Sequence, residues 1–141
     1  MIKKQYEDIS YMSGNGTRRP TIQHEAMEQE ALFSWAWHMQ HSIPELTMLY
    51  HIPNGGRRDR AEAANLKRQG VKAGVPDICL PVARGGFHGL YIERKAGNNK
   101  PTEKQETWIF ALREQGYQAV VCNGWDAARE TILKYLRGEK Q

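Results

Sequence analysis

Two short segments decide the fold of this chain: residues 74–77, Gly-Val-Pro-Asp, and residues 91–95, Tyr-Ile-Glu-Arg-Lys. An apolar run follows the acid of the first segment, and another precedes the acid of the second. The glycine-containing stretch 83–87 between them has the composition of a turn. The pattern therefore predicts an antiparallel β-hairpin.

The hairpin brings its charged residues together. If the turn is centred near Gly85, Asp77 lies opposite Glu93, because both are equally far from Gly85 along the chain. Side chains alternate along a strand, so Glu93 and Lys95 should share one face while Arg94 points away. The prediction is that two carboxylates and an ammonium group meet at one edge of a sheet.

Such a cluster suits a metal-assisted hydrolysis. Carboxylate oxygens bind hard divalent cations, and a bound cation can activate water and offset charge on a phosphate. We expect Asp77 and Glu93 to be the ligands, with Lys95 beside the nucleophile. Acid-x-lysine triplets also occur by chance on surface hairpins, and Asp77 alone could be a turn residue. The combination of Pro-Asp, hairpin spacing and Glu-x-Lys favours the metal site.

The 141 residues, 40% apolar and 26% charged, are typical of a soluble globular protein. There is no run of about 18 apolar residues and no signal-peptide core at the N-terminus, so we expect no membrane span. Cys79 and Cys122 fall in predicted strands without zinc-site spacing, which suits small buried hydrophobes in a reducing cytoplasm.

The positive charge is concentrated in one part of the chain. The net charge is only +4, but residues 56–72 carry six basic residues against two acids. This stretch predicts a basic face suited to phosphates. Its basic residues are Arg57, Arg58, Arg60, Lys67, Arg68 and Lys72.

The chain divides into a polar arm and one domain. Residues 1–22 have no apolar period and are predicted to be flexible, whereas residues 23–141 should form a single domain. Helices are predicted at 24–40, 59–69, 102–115 and 125–136, and strands at 48–52, 77–83, 90–96 and 118–122. The order α-β-α-β-β-α-β-α predicts an α/β fold with a mixed β-sheet flanked by helices.

Residues 74–77, the Glu-Arg-Lys triplet 93–95, and Gln105 early in the next helix resemble the pattern of the PD-(D/E)XK nuclease superfamily. Within it, the chain is similar to the VRR-NUC (virus-type replication-repair nuclease) domain. That similarity also includes residues 51–56, 70–74 and 85–91, and it extends over about residues 24–136. It implies a restriction-endonuclease-like core and a VRR-NUC-like nuclease domain over residues 23–141.

The resemblance also implies an activity. Members of this kind are stand-alone phage- or bacterium-encoded endonucleases, so the expected location is the host cytoplasm. The resemblance implies dependence on Mg²⁺ or Mn²⁺, a homodimer, and branched DNA such as a Holliday junction or a flap as the substrate.

Roles for individual residues follow from the same resemblance. Asp77, Glu93 and the backbone carbonyl of Arg94 would hold the metal, and Lys95 would act at the nucleophile. Gln105 would hydrogen-bond Lys95 or water. The middle residue of the triplet is commonly small and apolar in the family, and Arg94 departs from that pattern.

The family also places a glutamate from the first helix at the metal. Glu25, Glu28 and Glu30 all compete for this role in the sequence. The apolar-acid pair Met27-Glu28 matches the family and favours Glu28 as a catalytic and metal-binding residue, with Glu25 second.

DNA contacts are expected outside the metal site. Asn54, Arg57 and Arg58 flank a Gly-Gly turn whose backbone N–H groups could approach phosphate. We expect Lys67, Arg68 and Lys72 to contact the DNA backbone. His51 and His88 lie near the predicted site, where a packing or turn role is favoured. The four tryptophans should lie in the core or a dimer interface, with base stacking open to one of them: Trp35, Trp37, Trp108 and Trp125.

Two other functions compete with this interpretation. A non-catalytic DNA-binding module that recruits replication or repair proteins could use the same basic face, but such copies usually lack an acid or the lysine. An RNA-directed nuclease is also compatible, because metal chemistry at a phosphate needs no 2′-hydroxyl.

Overall fold

The computed structural model describes residues 21–54 and 59–140. Within them the elements follow the predicted order, with one additional 3₁₀ helix. The helices are α1 (Thr21–Met39), α2 (Arg60–Arg68), α3 (Glu103–Glu114) and α4 (Trp125–Leu136). The strands are β1 (Tyr50–His51), β2 (Ile78–Leu80), β3 (Leu90–Lys95) and β4 (Gln118–Asn123).

The N-terminal arm is predicted for residues 1–22, and residues 1–20 of it lie outside the described residues. Helix α1 begins at Thr21, two residues before the predicted start of the domain.

The four strands form one mixed sheet in the order β1-β2-β3-β4. The first two pairings are antiparallel, and β3 runs parallel to β4. Ile78 pairs with Ile92, so one further step along the ladder places Asp77 opposite Glu93. The predicted register is therefore confirmed, and so is the mixed α/β architecture.

The hairpin turn lies where the glycines predicted it. Arg84 and Phe87 bridge it through backbone hydrogen bonds, and Gly85 and Gly86 between them have φ values of 57° and 88°. Two consecutive left-handed residues belong to a type I′ turn, which favours glycine at both positions. The strand β2 is shorter than predicted because it ends before Pro81, which has no N–H to donate to the ladder.

The segment before β1 differs from its prediction. The sequence predicts a strand over 48–52, but only Tyr50–His51 is extended, and Pro44–Met48 forms a 3₁₀ helix. Proline suits the first turn of a helix because that turn does not need its N–H.

Helices α1 and α4 pack together against one face of the sheet. Leu32 of α1 and Ile132 of α4 meet Ile92 of β3 in the core, and all three are almost completely buried. Burying each such side chain contributes about 1.5–3 kcal/mol. Other core residues from the same cluster are Ala36, Leu46, Ile78, Leu80, Leu90, Cys122, Ala128 and Tyr135.

Helix α3 connects β3 to β4, because parallel neighbours need a crossover. Strand alternation sends Arg94 toward α1, where it contacts the backbone of Glu25. Glu93 points the other way, toward Gln105 of α3. The opposite orientations of Arg94 and its neighbours are therefore as predicted.

Both cysteines, Cys79 and Cys122, are buried free thiols, in agreement with their predicted place in strands. None of the helices in the described ranges has the length and apolar composition needed to cross a membrane.

Candidate active site

Asp77 stands immediately before β2, between the backbones of two neighbouring strands. Its Oδ1 accepts a hydrogen bond from the Arg94 N–H at 3.0 Å. Its carbonyl oxygen accepts the Ile52 N–H at 2.6 Å and lies 2.8 Å from Nδ1 of His51. Because a carbonyl can only accept, Nδ1 of His51 carries the proton in this contact. The backbone and carboxylate of Asp77 are thus both held in place.

Glu93 faces Asp77 across the hairpin and is 4% exposed. Its Oε1 accepts a hydrogen bond from Nε2 of Gln105 at 2.8 Å. The Lys95 Nζ lies 3.4 Å from the same Oε1, and its side chain is 15% exposed. The acid pair, the ammonium and the amide therefore meet at the end of β3. The predicted partner of Gln105 was Lys95 or water, and the structure pairs it with Glu93 instead.

Burial makes both carboxylates hard to ionise. It raises the pKa of Asp77 above its usual range, although the Arg94 backbone N–H and the Arg94 charge lower it in part. Burial, followed by repulsion from Asp77, raises the pKa of Glu93 to about 7, and Lys95 opposes this shift. Two poorly solvated acids side by side are stabilised by an added cation.

These groups open into a cavity of about 520 Å³ between α1, the sheet edge and the start of α3. Its walls combine acids, one lysine and uncharged hydrogen-bonding groups, so it can take a charged polar ligand. The polar residues that line it are Glu25, Gln29, Glu30, His51, Asn54, Asp77, Glu93, Arg94, Lys95 and Gln105.

The glutamates of α1 divide between this cavity and another role. Glu25 and Glu30 line the cavity, whereas Glu28, the favoured choice from sequence, does not. The Oε2 of Glu28 accepts the Trp125 N–H at 2.6 Å, at the N-terminus of α4. A carboxylate there satisfies an N–H that the helix leaves unpaired and suits the helix dipole. In the structure Glu28 therefore caps the start of α4, and Glu25 is the one of the two favoured glutamates that lines the cavity.

The profile of the VRR-NUC domain matches residues 17–126, well over half of the chain. The chain belongs to the VRR-NUC family. A solved structure described as a VRR_NUC domain protein has a TM-score of 0.71 and 34% sequence identity, and the match covers 88% of this chain and 94% of that chain. No curated protein matches. Family membership makes this a nuclease-type domain with DNA as its substrate.

Arg94 is where this VRR-NUC chain departs from the usual triplet. Its side chain is 8% exposed, and its Nη2 donates to the carbonyl of Glu25 at 2.6 Å and to Oε1 of Gln29 at 3.3 Å. Its Nε and Nη1 are buried and have no partner among the described residues. The N–H and C=O of one strand residue point the same way, so the Arg94 carbonyl lies on the side of Asp77.

The donor set of this VRR-NUC site fits a divalent cation in part. Oxygen donors are available from Asp77, Glu93 and the Arg94 carbonyl, which are the type that Mg²⁺ and Mn²⁺ prefer. Within the described ranges, no three His, Cys, Asp or Glu side chains converge as a ready cluster. Glu25 and Glu30 line the wall of the same cavity, and the backbone of Glu25 is held beside the site by Arg94.

The predicted DNA-binding residues fall in three places. Asn54 lines the active-site cavity and also a second cavity beside it. Lys67 and Lys72 line the second cavity. Arg68, at the end of α2, is exposed and lines neither of these cavities. Arg57 and Arg58 lie outside the described residues.

Two residues that line the active-site cavity were not among the predicted catalytic or metal-binding residues. Gln29 contacts Arg94 from α1, and no sequence signal distinguishes it from the other polar residues of that helix. His51, for which packing was favoured, lines the cavity while it holds the Asp77 carbonyl. Its position before the turn predicted from the sequence Pro-Asn-Gly-Gly was the available signal.

Proposed function

We propose that this VRR-NUC chain is a metal-dependent DNA endonuclease that hydrolyses phosphodiester bonds in branched DNA. The observation that carries the proposal is the pairing of Asp77 with Glu93 at an open cavity, with Lys95 Nζ 3.4 Å from Glu93. A buried acid, a half-buried acid and one ammonium form a site for a cation and a phosphate together.

Asp77, Glu93 and the Arg94 carbonyl would hold the metal, and the Glu25 carboxylate would complete the set. When bound, Mg²⁺ or Mn²⁺ supplies Lewis-acid chemistry that lowers the pKa of water and offsets charge on the phosphate. The raised pKa values of Asp77 and Glu93 favour this role, because the paired acids gain most from a neighbouring cation.

The protein's own groups then position the reaction. The Lys95 ammonium can donate to the attacking water or to a phosphate oxygen as negative charge develops. The Gln105 amide holds Glu93 in place, and the Arg94 N–H does the same for Asp77. The contacts fix both acids before the substrate binds, which is the preorganisation that catalysis requires.

The proposal includes a homodimer. Two sites in one assembly would permit paired incisions across a DNA branch. Large apolar side chains are exposed at the end of α1 and in the segment entering β1, which suits an interface: Trp37, Met48 and Tyr50 are each about half exposed, at 50%, 48% and 47%.

The test incubates the protein with labelled four-way junction, flap, splayed-arm and linear duplex DNA, each with Mg²⁺, Mn²⁺ or EDTA. The Lys95→Ala variant should lower the cleavage rate about a hundredfold or more with little change in DNA binding or folding. The exposed Lys134 on α4 provides the matched control, Lys134→Ala, which should cleave normally.

Symmetric metal-dependent cuts at the junction, lost in Lys95→Ala, would support the whole proposal. Cleavage of linear duplex as fast as the junction would remove branch selectivity. Tight binding to branched DNA without cleavage in either metal would support the non-catalytic module instead. Sedimentation or light scattering at the assay concentration would decide whether the active species is a dimer.

A further inference from the structure

A second cavity lies beside the active site and has a volume of about 790 Å³. Its walls come from α2, from the loop that follows α2, and from the first half of α3. The residues that line it are Asn54, Ala63, Leu66, Lys67, Gly70, Val71, Lys72, Ala73, Lys104 and Trp108.

The lining of this cavity combines positive charge with apolar surface. Three lysines contribute to its walls, Lys67, Lys72 and Lys104, and no acid is found among its described lining residues. The rest of the lining is largely apolar and includes the Trp108 indole, with Val71 40% exposed. A ligand that fits both halves has a flat apolar part and an attached anionic part.

Close packing sets the distance between the two walls. Gly74 has φ 91°, and a Cβ atom there would lie 2.8 Å from the carbonyl carbon of Lys104. The loop therefore rests directly on the start of α3, where only glycine fits. At its other end, the Val71 N–H donates to the Leu66 carbonyl at 3.0 Å and ties the loop to α2.

The cavity adjoins the active-site cavity through Asn54, which lines both of them. Its Nδ2 donates to the Val75 carbonyl at 3.2 Å, two residues before Asp77. A DNA strand with its scissile phosphate at Asp77 and Glu93 would therefore pass its neighbouring nucleotide toward Trp108.

We propose that this cavity binds an unpaired nucleotide of the DNA substrate next to the cleaved bond. The base packs against Trp108, and the lysines hold the flanking phosphates. A paired base remains inside the duplex stack and cannot enter, so among branched substrates the cavity favours a flap or splayed arm, which has an unpaired nucleotide beside the cut, over a fully paired junction. Its place relative to the cut rests on the proposed nuclease function, but the binding itself does not.

The test measures binding by fluorescence anisotropy with a labelled single-stranded oligo(dT) and a labelled paired duplex. Both are measured in EDTA, so that cleavage plays no part. Trp108→Leu should weaken oligo(dT) binding about tenfold, the effect of losing one base–aromatic stack, and should change duplex binding little. Trp108→Phe should restore most of the loss. Phe110→Leu, which removes a 66% exposed aromatic from the same helix, is the matched control and should bind like the parent.

The lysines supply a second, independent measurement. Replacing Lys104 by Gln should reduce the slope of log K against log salt for oligo(dT) by about 0.7. The control Lys134→Gln, on α4, should leave that slope unchanged.

Three results would overturn the proposal. The first is that Trp108→Leu leaves oligo(dT) binding unchanged, and the second is that it weakens duplex and oligo(dT) binding equally. The third is that Trp108→Phe melts like the parent but does not restore oligo(dT) binding. If the parent cleaves no DNA but the Trp108 pattern appears, the nuclease proposal fails while the nucleotide site stands.

Discussion

The side-chain amide of Gln105 donates a hydrogen bond to Glu93 through its nitrogen and caps the N-terminus of helix α3 through its oxygen. Its Nε2 donates to Glu93 Oε1 at 2.8 Å, while its Oε1 accepts the Thr102 N–H, also at 2.8 Å. The Thr102 hydroxyl in turn accepts the Gln105 N–H at 3.3 Å, which completes a capping box. Because the cap fixes which end of the amide faces the helix, it also fixes a donor toward Glu93.

This double role predicts different effects for two substitutions. Gln105→Glu keeps an oxygen for the Thr102 N–H but replaces the donor with a second carboxylate against Glu93. We expect cleavage about tenfold slower or worse, with the cap retained. Gln105→Ala removes both contacts and should also cost about 1 kcal/mol of stability. Cleavage rates and urea unfolding would measure the two effects, and parent-like cleavage by Gln105→Glu would contradict the role of the amide.

Substitutions of Glu25 and Glu28 should have different effects, one on the cleavage rate and the other on stability. Glu25 lines the active-site cavity, so Glu25→Ala should lower cleavage about tenfold or more with little change in unfolding. Glu28 binds the Trp125 N–H, so Glu28→Ala should cost about 1 kcal/mol while the folded protein still cleaves. Paired cleavage and denaturation curves would decide, and the reverse pattern would return the site to Glu28.

The hairpin was predictable because its information is local. Gly85 and Gly86 specify a two-residue turn closed by Arg84 and Phe87, and a ladder continued directly from that pair would place Asp77 opposite Arg94. The ladder of β2 and β3 is offset from the turn by one residue, and this offset places Asp77 opposite Glu93. Alternation along β3 then assigns the faces with no further input. Helix α4 was likewise predictable, since the structure gives Trp125–Leu136, as in the sequence prediction.

The site contacts that could not be predicted from the sequence depend on tertiary packing. The choice between Glu25 and Glu28 depends on how α1 is rotated about its axis, which its weak apolar pattern does not fix. The partner of Gln105 depends on where α3 docks against β3. Arg94 could be assigned to the far face, but its hydrogen bonds to α1 required the position of that helix.

Arg94 leads to a prediction about the order of stability among variants. Its Nη2 holds Glu25 and Gln29, but its Nε and Nη1 are buried without a partner among the described residues. Arg94→Leu loses two hydrogen bonds and also removes two unsatisfied donors, so its stability should stay within about 1 kcal/mol of the parent. Arg94→Lys keeps a buried charge that cannot reach both partners and should be the less stable variant. Urea unfolding would rank them, and Arg94→Lys above Arg94→Leu would show that the charge itself is needed there.

The last prediction concerns the stability of the metal-free protein as the pH changes. The pKa of Glu93 is raised from 4.5 to about 7, so between these values the folded protein holds a proton that the unfolded chain has lost. Stability must therefore fall as the pH rises through this window, and Asp77, whose pKa is also raised, acts in the same direction. Glu93→Gln cannot ionise, so it should match the parent near pH 4 and exceed it near pH 8 by about 1–2 kcal/mol, allowing for partial solvation.

Urea unfolding in EDTA across this range would measure the difference, with Glu114→Gln, at an exposed position on α3, as the matched control. Under the proposed function Mn²⁺ would bind the deprotonated acids. It should then restore stability to the parent above pH 7, and do so much less for Glu93→Gln. If the free energies of unfolding of the parent and of Glu93→Gln change in parallel with pH in EDTA, Glu93 is already well solvated. In that case the cation would have little charge repulsion to relieve, and the raised pKa of Glu93 would no longer support a metal at this site.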